Sequence, residues 1–442
     1  MKKYIVKNWF GWIFAVAILT RLAMTPWVYH GDIITQAGWG QWIFDHGMRG
    51  FYENNVWIYG WPNQPPIISW IYGQCFHLYD SLYTAMIVSG NFIARHRLGA
   101  SYIPWFYEFQ DWWGNAKYID TPFKIGALMT MKIPSVIADA VLAFIVYKLV
   151  GKVGAIIYLL SPFVWYDSAI WGQHDQLGFI FLLMVFWFIS NKKYIWLSPI
   201  MMAISILIKP TAFIFGPLLL WFAIRDKKTM KQIVIGSGIT LIGYFILVRL
   251  ISTFDFVTFN IYLQRQMFAK GEYWTWVNTF NGWRIITSYL TDYRQLFLGI
   301  NLRIWGFITF IIINFWAFKI CKKRDWDSAL KAIFVIGCGG WMVMTAMHER
   351  YLFAAIVVGL ILAMKNKKLF KYWIPLSLIF WINMYNGWWY PENFTWLKFA
   401  LTWGNNMDGI LPKLLAFTNL ILMVMMIKTI TKEKKQKIYG KN

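Results

Sequence analysis

Residues 9–32 read WFGWIFAVAILTRLAMTPWVYHGD. An apolar run, broken only by Arg21, stops at Tyr29-His30-Gly31-Asp32. Roughly 20 such residues carry a helix across about 30 Å of hydrocarbon, so 9–28 is expected to span a membrane. The same pattern recurs along the chain. Of 442 residues, 58% are hydrophobic and 14% charged, and mean hydropathy is +0.45. These values exclude a soluble domain and predict an all-α polytopic membrane protein.

The net charge of +23 would suggest nucleic acid in a soluble protein. Here the basic residues fall between apolar runs, which is the signature of cytoplasmic loops. The clusters are Lys2/Lys3/Lys7, Lys148/Lys152, Lys192/Lys193, Arg225 to Lys231, Lys319 to Arg324, Lys365 to Lys371, and Lys428 onward. Each neighbouring pair leaves room for one outward and one return span. The expectation is about twelve transmembrane helices in a cell membrane, with both termini cytoplasmic. They fall at 9–28, 126–147, 153–167, 175–190, 195–208, 212–224, 232–251, 297–318, 328–346, 351–364, 372–386 and 410–428. The first is read as a retained helix, since no small-residue cleavage site follows it. No internal repeat or linker sets off a soluble domain, so 1–442 reads as one domain.

Long outer loops remain at 29–125 and 252–296, and a shorter one at 387–409. In the first, Ile67 to Tyr72 and Leu82 to Ile93 are too short or too interrupted to be clear spans. They suit helices lying in the interface. Trp57, Trp61, Trp70, Trp105, Trp112 and Trp113 crowd the same loop, as at a membrane boundary. Cys75, Cys321 and Cys338 are scattered, with no disulfide or metal spacing.

With this topology the unusual polar groups share the outer side. They are His30 and Asp32, then Gln173-His174-Asp175, Lys209, Arg265, Asn278, Asn281 and His348-Glu349-Arg350. Each has an ordinary reading as well. Asp175 suits a helix start, Lys209 can snorkel, and Glu349 and Arg350 can form a structural ion pair. Trp274 and Trp276 suit interfacial anchors. Yet charged groups at membrane depth are costly and usually mark a site or pair with one another. Their collection on one side predicts one outward-facing cavity. Within spans, Lys132 and Asp139 lie on one helical face and read as packing groups. Arg21 and Arg303 are candidate buried partners of such acids.

The chemistry that fits is transfer of a sugar from a lipid phosphate. Asp32 is expected to be the base, its carboxyl raised by shielding from water. Lys209, Arg265 and Arg350 would hold a donor phosphate. His30, Gln173, His174, Asp175, Asn278, Asn281, His348 and Glu349 would contact sugar or acceptor. No cofactor is expected. The first loop lacks paired acids near Asp32, which argues against a divalent ion, although Asp32, Asp175 and Glu349 could converge.

Six motifs then carry a resemblance. They are Gly31-Asp32; Lys132-Ile133-Pro134 with Ala138-Asp139; Ser161-Pro162 leading to Trp171-Gly172-Gln173-His174-Asp175; Lys209-Pro210 with Pro217; Val277-Asn278-Thr279-Phe280-Asn281-Gly282-Trp283; and Met347-His348-Glu349-Arg350-Tyr351. In this order they resemble the GT-C glycosyltransferases, specifically bacterial proteins related to the second GPI mannosyltransferase. The resemblance implies a GT-C-like fold, a polyprenyl- or dolichyl-phosphate-linked sugar donor and inversion at the sugar carbon. It also implies chemistry on the extracytoplasmic face, and gives the first-loop acid, here Asp32, the role of base. The run Asp32-Ile33-Ile34-Thr35-Gln36 replaces the aromatic stretch usual in that loop. Leu352-Phe353-Ala354-Ala355 lacks the expected proline.

The function expected is therefore a hexosyltransferase of mannose or glucose type. Its partners would be a lipid-linked sugar donor, membrane lipid, and a glycan, glycolipid or protein acceptor. No nucleic acid is expected. The alternative is a polymerase or flippase of lipid-linked saccharides.

Overall fold

The computed structural model describes residues 9–54, 60–95, 104–118, 121–268, 273–390, 392, 394–403 and 408–439. The expectations for Lys2, Lys3, Lys7 and Trp57 lie outside them. The chain opens with α1 (Trp9–Met24), α2 (Gly31–His46), α3 (Pro66–Arg95), α4 (Pro104–Gly114) and α5 (Ile125–Leu160). It continues through α6 (Asp175–Ser190), α7 (Leu197–Ile208), α8 (Gly216–Ala223), α9 (Lys227–Ile251) and α10 (Phe256–Phe268). Strand β1 (Trp276–Val277), α11 (Gly282–Ile286), β2 (Leu296–Phe297) and β3 (Ile300–Asn301) come next. Then follow α12 (Leu302–Ile320), α13 (Trp326–Val343), β4 (Met347–His348), α14 (Phe353–Lys365), α15 (Phe370–Trp388), α16 (Thr395–Thr402) and α17 (Ile410–Tyr439).

Helices occupy most of every stretch expected to span, although 297–301 lies in a hairpin. Four are long and apolar enough to cross a membrane: Ile125–Leu160, Lys227–Ile251, Leu302–Ile320 and Ile410–Lys432. Shorter apolar helices accompany them, α1, α6, α7 and α14 among them. The protein is an all-α membrane protein apart from its two-residue strand pairs. Helix α5 covers two of the expected stretches and is broken between them at Gly151, where φ is +83°. Only glycine adopts that conformation without strain, and Lys148 and Lys152 flank the break.

Residues 29–125 depart from expectation in one respect. Its two apolar runs are parts of one 30-residue helix, α3. That helix packs on α2, α5 and α7. The reason is burial: Ile68, Tyr72, Cys75, Phe76 and Tyr79 line one face of α3. They join Ile33, Ala37 and Ile43 of α2 and Val248 and Ile251 of α9 in a separate apolar core. The larger core gathers α1, α5, α6, α8, α13, α14, α15 and α17.

Two buried charges pin the helices. Arg21 of α1 donates from Nε to Asp139 Oδ2 at 2.9 Å and from Nη2 to the Leu159 carbonyl at 2.7 Å. Tyr158 and Ser168 also donate to Asp139. Arg21 is thus the buried partner expected. Lys132 of α5 pairs with no acid among the described residues. Its Nζ reaches four carbonyls: Thr25 at 3.0 Å, Val28 at 2.6 Å, Ala169 at 3.2 Å and Ile170 at 2.9 Å.

Candidate active site

Those four carbonyls belong to the two segments that carry the first site residues. Thr25 and Val28 end the chain leading to Asp32. Ala169 and Ile170 lie in a wide helical turn, Tyr166–Trp171, that leads to Gln173. Gly172 closes that turn at φ +80°, and a Cβ there would meet Ile33 Cδ1 at 2.5 Å and Lys132 Cγ at 2.9 Å. The glycine therefore lets the turn sit directly against Ile33, the neighbour of Asp32. Gln173 Nε2 in consequence donates to Asp32 Oδ2 at 2.8 Å.

Asp32 is the second residue of α2. His30 caps that helix, its Nδ1 accepting the Asp32 N–H at 3.0 Å. The His30 ring is held between Trp171 and Trp388, with centroids 5.2 and 4.8 Å away. Arg350 approaches Asp32 from the 347–351 segment, Nη2 to Oδ2 at 3.9 Å. Its Nη1 donates to Glu349 Oε1 at 2.7 Å. That segment is placed by a parallel pairing of β4 with β1. A hydrogen bond of 2.9 Å from Trp341 Nε1 to the His348 carbonyl also fixes it.

These groups border a cavity of about 1370 Å³. Asp32, Gln173, Lys209, His348 and Arg350 all line it, and Asp32 is the one carboxylate among the described lining residues. From this polar end the cavity extends between helices. Ala203 and Ile206 of α7, Ile214, Leu241 of α9 and Phe307 of α12 form an apolar wall. Thr35, Gln36, Trp61, Asn63 and Gln64 form a neutral polar side.

Electrostatics set the state of each group. Burial pushes the Asp32 carboxyl up, but the contact with His30 and the charge of Arg350 outweigh it. The net effect holds Asp32 below the usual carboxylate range, which corrects the raised value expected from shielding alone. Burial, helped by Arg350, lowers His348 to about 3, so its imidazole is neutral. His174 is likewise held well below the usual range by burial and by Lys209. Burial raises Glu349, against the pull of Arg350.

The remaining expected residues divide into two groups. His174, Asp175 and Glu349 stand behind the cavity wall. His174 Nδ1 lies 3.2 Å from Tyr72 Oη, and Asp175 Oδ2 accepts from Lys209 Nζ at 2.7 Å. The three expected carboxylates therefore each sit against a cation: Asp32 and Glu349 against Arg350, Asp175 against Lys209. Arg265, Asn278 and Asn281 do not border the cavity. Arg265 is exposed on α10. The Asn281 side chain accepts the Arg284 N–H and so caps α11. The Asn278 carbonyl accepts from Asn383 Nδ2 at 2.5 Å.

Sequence reading left several cavity residues unmarked and misplaced one. Gln36 and Tyr351, which the sequence offers only as parts of longer runs, line the cavity, as do Asn63 and Gln64. Gln36 lies four residues after Asp32, a helical spacing that puts both on one face. Arg303 was expected as a buried partner of an acid. It lines the cavity instead, its guanidinium 5.3 Å from the Tyr293 ring and 5.8 Å from the Phe307 ring. The turn residue Asp167 is a further buried carboxylate, with neither oxygen hydrogen-bonded among the described residues.

No protein-family model matches the chain, and no curated protein matches it at a significant level.

Proposed function

We propose that this protein is a GT-C-like glycosyltransferase with about twelve transmembrane helices. It moves a hexose from a polyprenyl-phosphate-linked donor to an acceptor hydroxyl on the outer face of the cell membrane, with inversion. The observation that carries the reading is the position of Asp32. It is the sole described carboxylate on a large cavity whose polar end also presents Lys209, Arg350 and neutral His348.

In this reading Asp32 accepts the acceptor hydroxyl proton as that oxygen attacks the sugar carbon. The bond to the phosphate oxygen breaks, and the lipid phosphate leaves with the electron pair. Gln173 donates to Asp32 Oδ2 and so leaves Oδ1 for the acceptor. Before donor binds, Asp32 is ionised but weakly basic, because the His30 contact and the Arg350 charge both favour its carboxylate. A donor phosphate near Arg350 would offset that charge and restore proton affinity to Asp32. The base would then be strongest when the donor is in place. Lys209 and Arg350 would receive the charge that grows on the leaving phosphate. The apolar wall between α7, α9 and α12 gives a lipid tail a route to the bilayer.

The test is transfer from a radiolabelled polyprenyl-phosphate hexose by purified protein. Asp32→Asn should lower turnover by about 10²–10⁴-fold while donor still binds. Near-normal turnover in that variant would refute the assignment. Sidedness is tested by cysteine labelling: N63C should react with an impermeant reagent added outside, and K228C should not.

A further inference from the structure

Three described cations line the cavity: Lys209, Arg303 and Arg350. Two are already compensated. Lys209 is paired with Asp175 at 2.7 Å, and Arg350 with Glu349 at 2.7 Å and Asp32 at 3.9 Å. Arg303 pairs with no carboxylate among the described residues. Two aromatic faces hold its guanidinium in place, and contacts of that kind leave the N–H edges available.

Its depth is set by what precedes it. Strands β2 and β3 form a hairpin whose turn, Leu298-Gly299, has φ of +53° and +78°. Leu296, Phe297 and Leu298 are 72%, 58% and 77% exposed at its tip. On a membrane protein such a tip belongs in the interface. Arg303 follows within the first turn of α12, at the start of a helix apolar enough to cross. It therefore sits at headgroup depth, where the phosphate of a lipid lies. Phe307, one turn further along α12, begins the apolar wall.

We propose that Arg303 is the docking cation for the phosphate of a long-chain lipid substrate, with the chain running along the α7–α9–α12 wall. The proposal rests on the reading of the cavity as a lipid-phosphate-sugar site. It gives Lys209 and Arg350 a different role, since they are engaged by the acids of the site and act as charge develops. Gln264 and the Tyr244–Asn260 pair, hydrogen-bonded at 2.8 Å, supply neutral groups on the same wall.

Binding, measured apart from turnover, is the test. Purified protein is titrated with polyprenyl phosphate, with the matching polyprenol and with inorganic phosphate, followed by native mass spectrometry. Wild type should bind polyprenyl phosphate at least about 10-fold tighter than polyprenol. R303Q should lose that preference, R303K should keep part of it, and R265Q, outside the cavity, should keep it all. Unchanged melting of R303Q shows that the fold is intact. Full preference in R303Q overturns the proposal, as does equal binding of polyprenol by wild type. Inorganic phosphate displacing the lipid at equal concentration would also overturn it, since the site would then read free phosphate. If Arg303 controls lipid binding but no sugar is ever transferred, the transferase reading fails alone. If transfer occurs and R303Q binds normally, this proposal fails alone.

Discussion

Replacing Lys132 with methionine isolates the junction on which the site geometry depends. The four carbonyls that Lys132 Nζ reaches lie between 2.6 and 3.2 Å away, on two segments far apart in sequence. Methionine matches the volume but donates nothing. A buried carbonyl left unpaired costs about 1–3 kcal/mol, so four give a gross loss of roughly 4–12 kcal/mol if none finds another donor. Two terms oppose it. The variant no longer buries an ammonium, an effective cost of several kcal/mol, and carbonyls at helix ends can rotate toward neighbouring N–H groups. A net loss of about 3 kcal/mol is expected. That corresponds to roughly 150-fold in a local opening equilibrium at 1.36 kcal/mol per decade. The loss falls where the carbonyls are, so the 169–173 turn should open before the rest of the fold. The reporters are the Gly172 and Gln173 amides, both bonded to the Asp167 carbonyl, the latter at 2.9 Å. Hydrogen–deuterium exchange in detergent should show them exchanging on the order of 100-fold faster in K132M, with α14 unchanged. Exchange within about threefold of wild type would refute the view that Lys132 holds these two segments together.

Three further outcomes follow from the same geometry. Because the His30 contact and the Arg350 charge lower the Asp32 carboxyl, the acidic limb of the kcat/KM–pH profile, which reports the free enzyme, should lie below the normal carboxylate range. R350Q removes that charge, raises the Asp32 pKa and should shift the acidic limb to higher pH; an unshifted limb would count against Asp32 as the titrating base. K209M leaves buried Asp175 unpaired and should cost about 3–5 kcal/mol of stability, seen as earlier thermal unfolding, whereas R265Q should be silent in both melting and turnover. D139A removes the carboxylate that accepts from Arg21, Tyr158 and Ser168; it too should cost about 3–5 kcal/mol, and expression equal to wild type with unchanged melting would contradict it.

How far the site could be read from sequence depends on what each residue bonds to. Arg21 and Asp139 were legible as partners because a charge within a span demands an opposite charge. The convergence of Asp32, Gln173 and Arg350 was legible for a coarser reason: all three were expected on one side of the membrane. Lys132 was not, because its partners are backbone carbonyls, which every residue carries and no sequence marks. The two asparagines went astray for a related reason. Asn278 and Asn281 look like polar outliers, yet one accepts through its backbone and the other caps α11. Arg265 shows the limit of assigning side chains by loop. It follows the cavity-lining Gln264 by one residue, and one step along a helix turns about 100°, enough to face away. Arg303 moved the opposite way. An apolar run at 296–298 placed the expected span too early and put the arginine six residues inside it. The left-handed pair Leu298-Gly299 folds that run into a hairpin instead, so α12 begins at Leu302 and its arginine stands exposed in the first turn. A single turn of two residues thus converts a buried charge, which would need an acid, into an accessible one that can meet a phosphate.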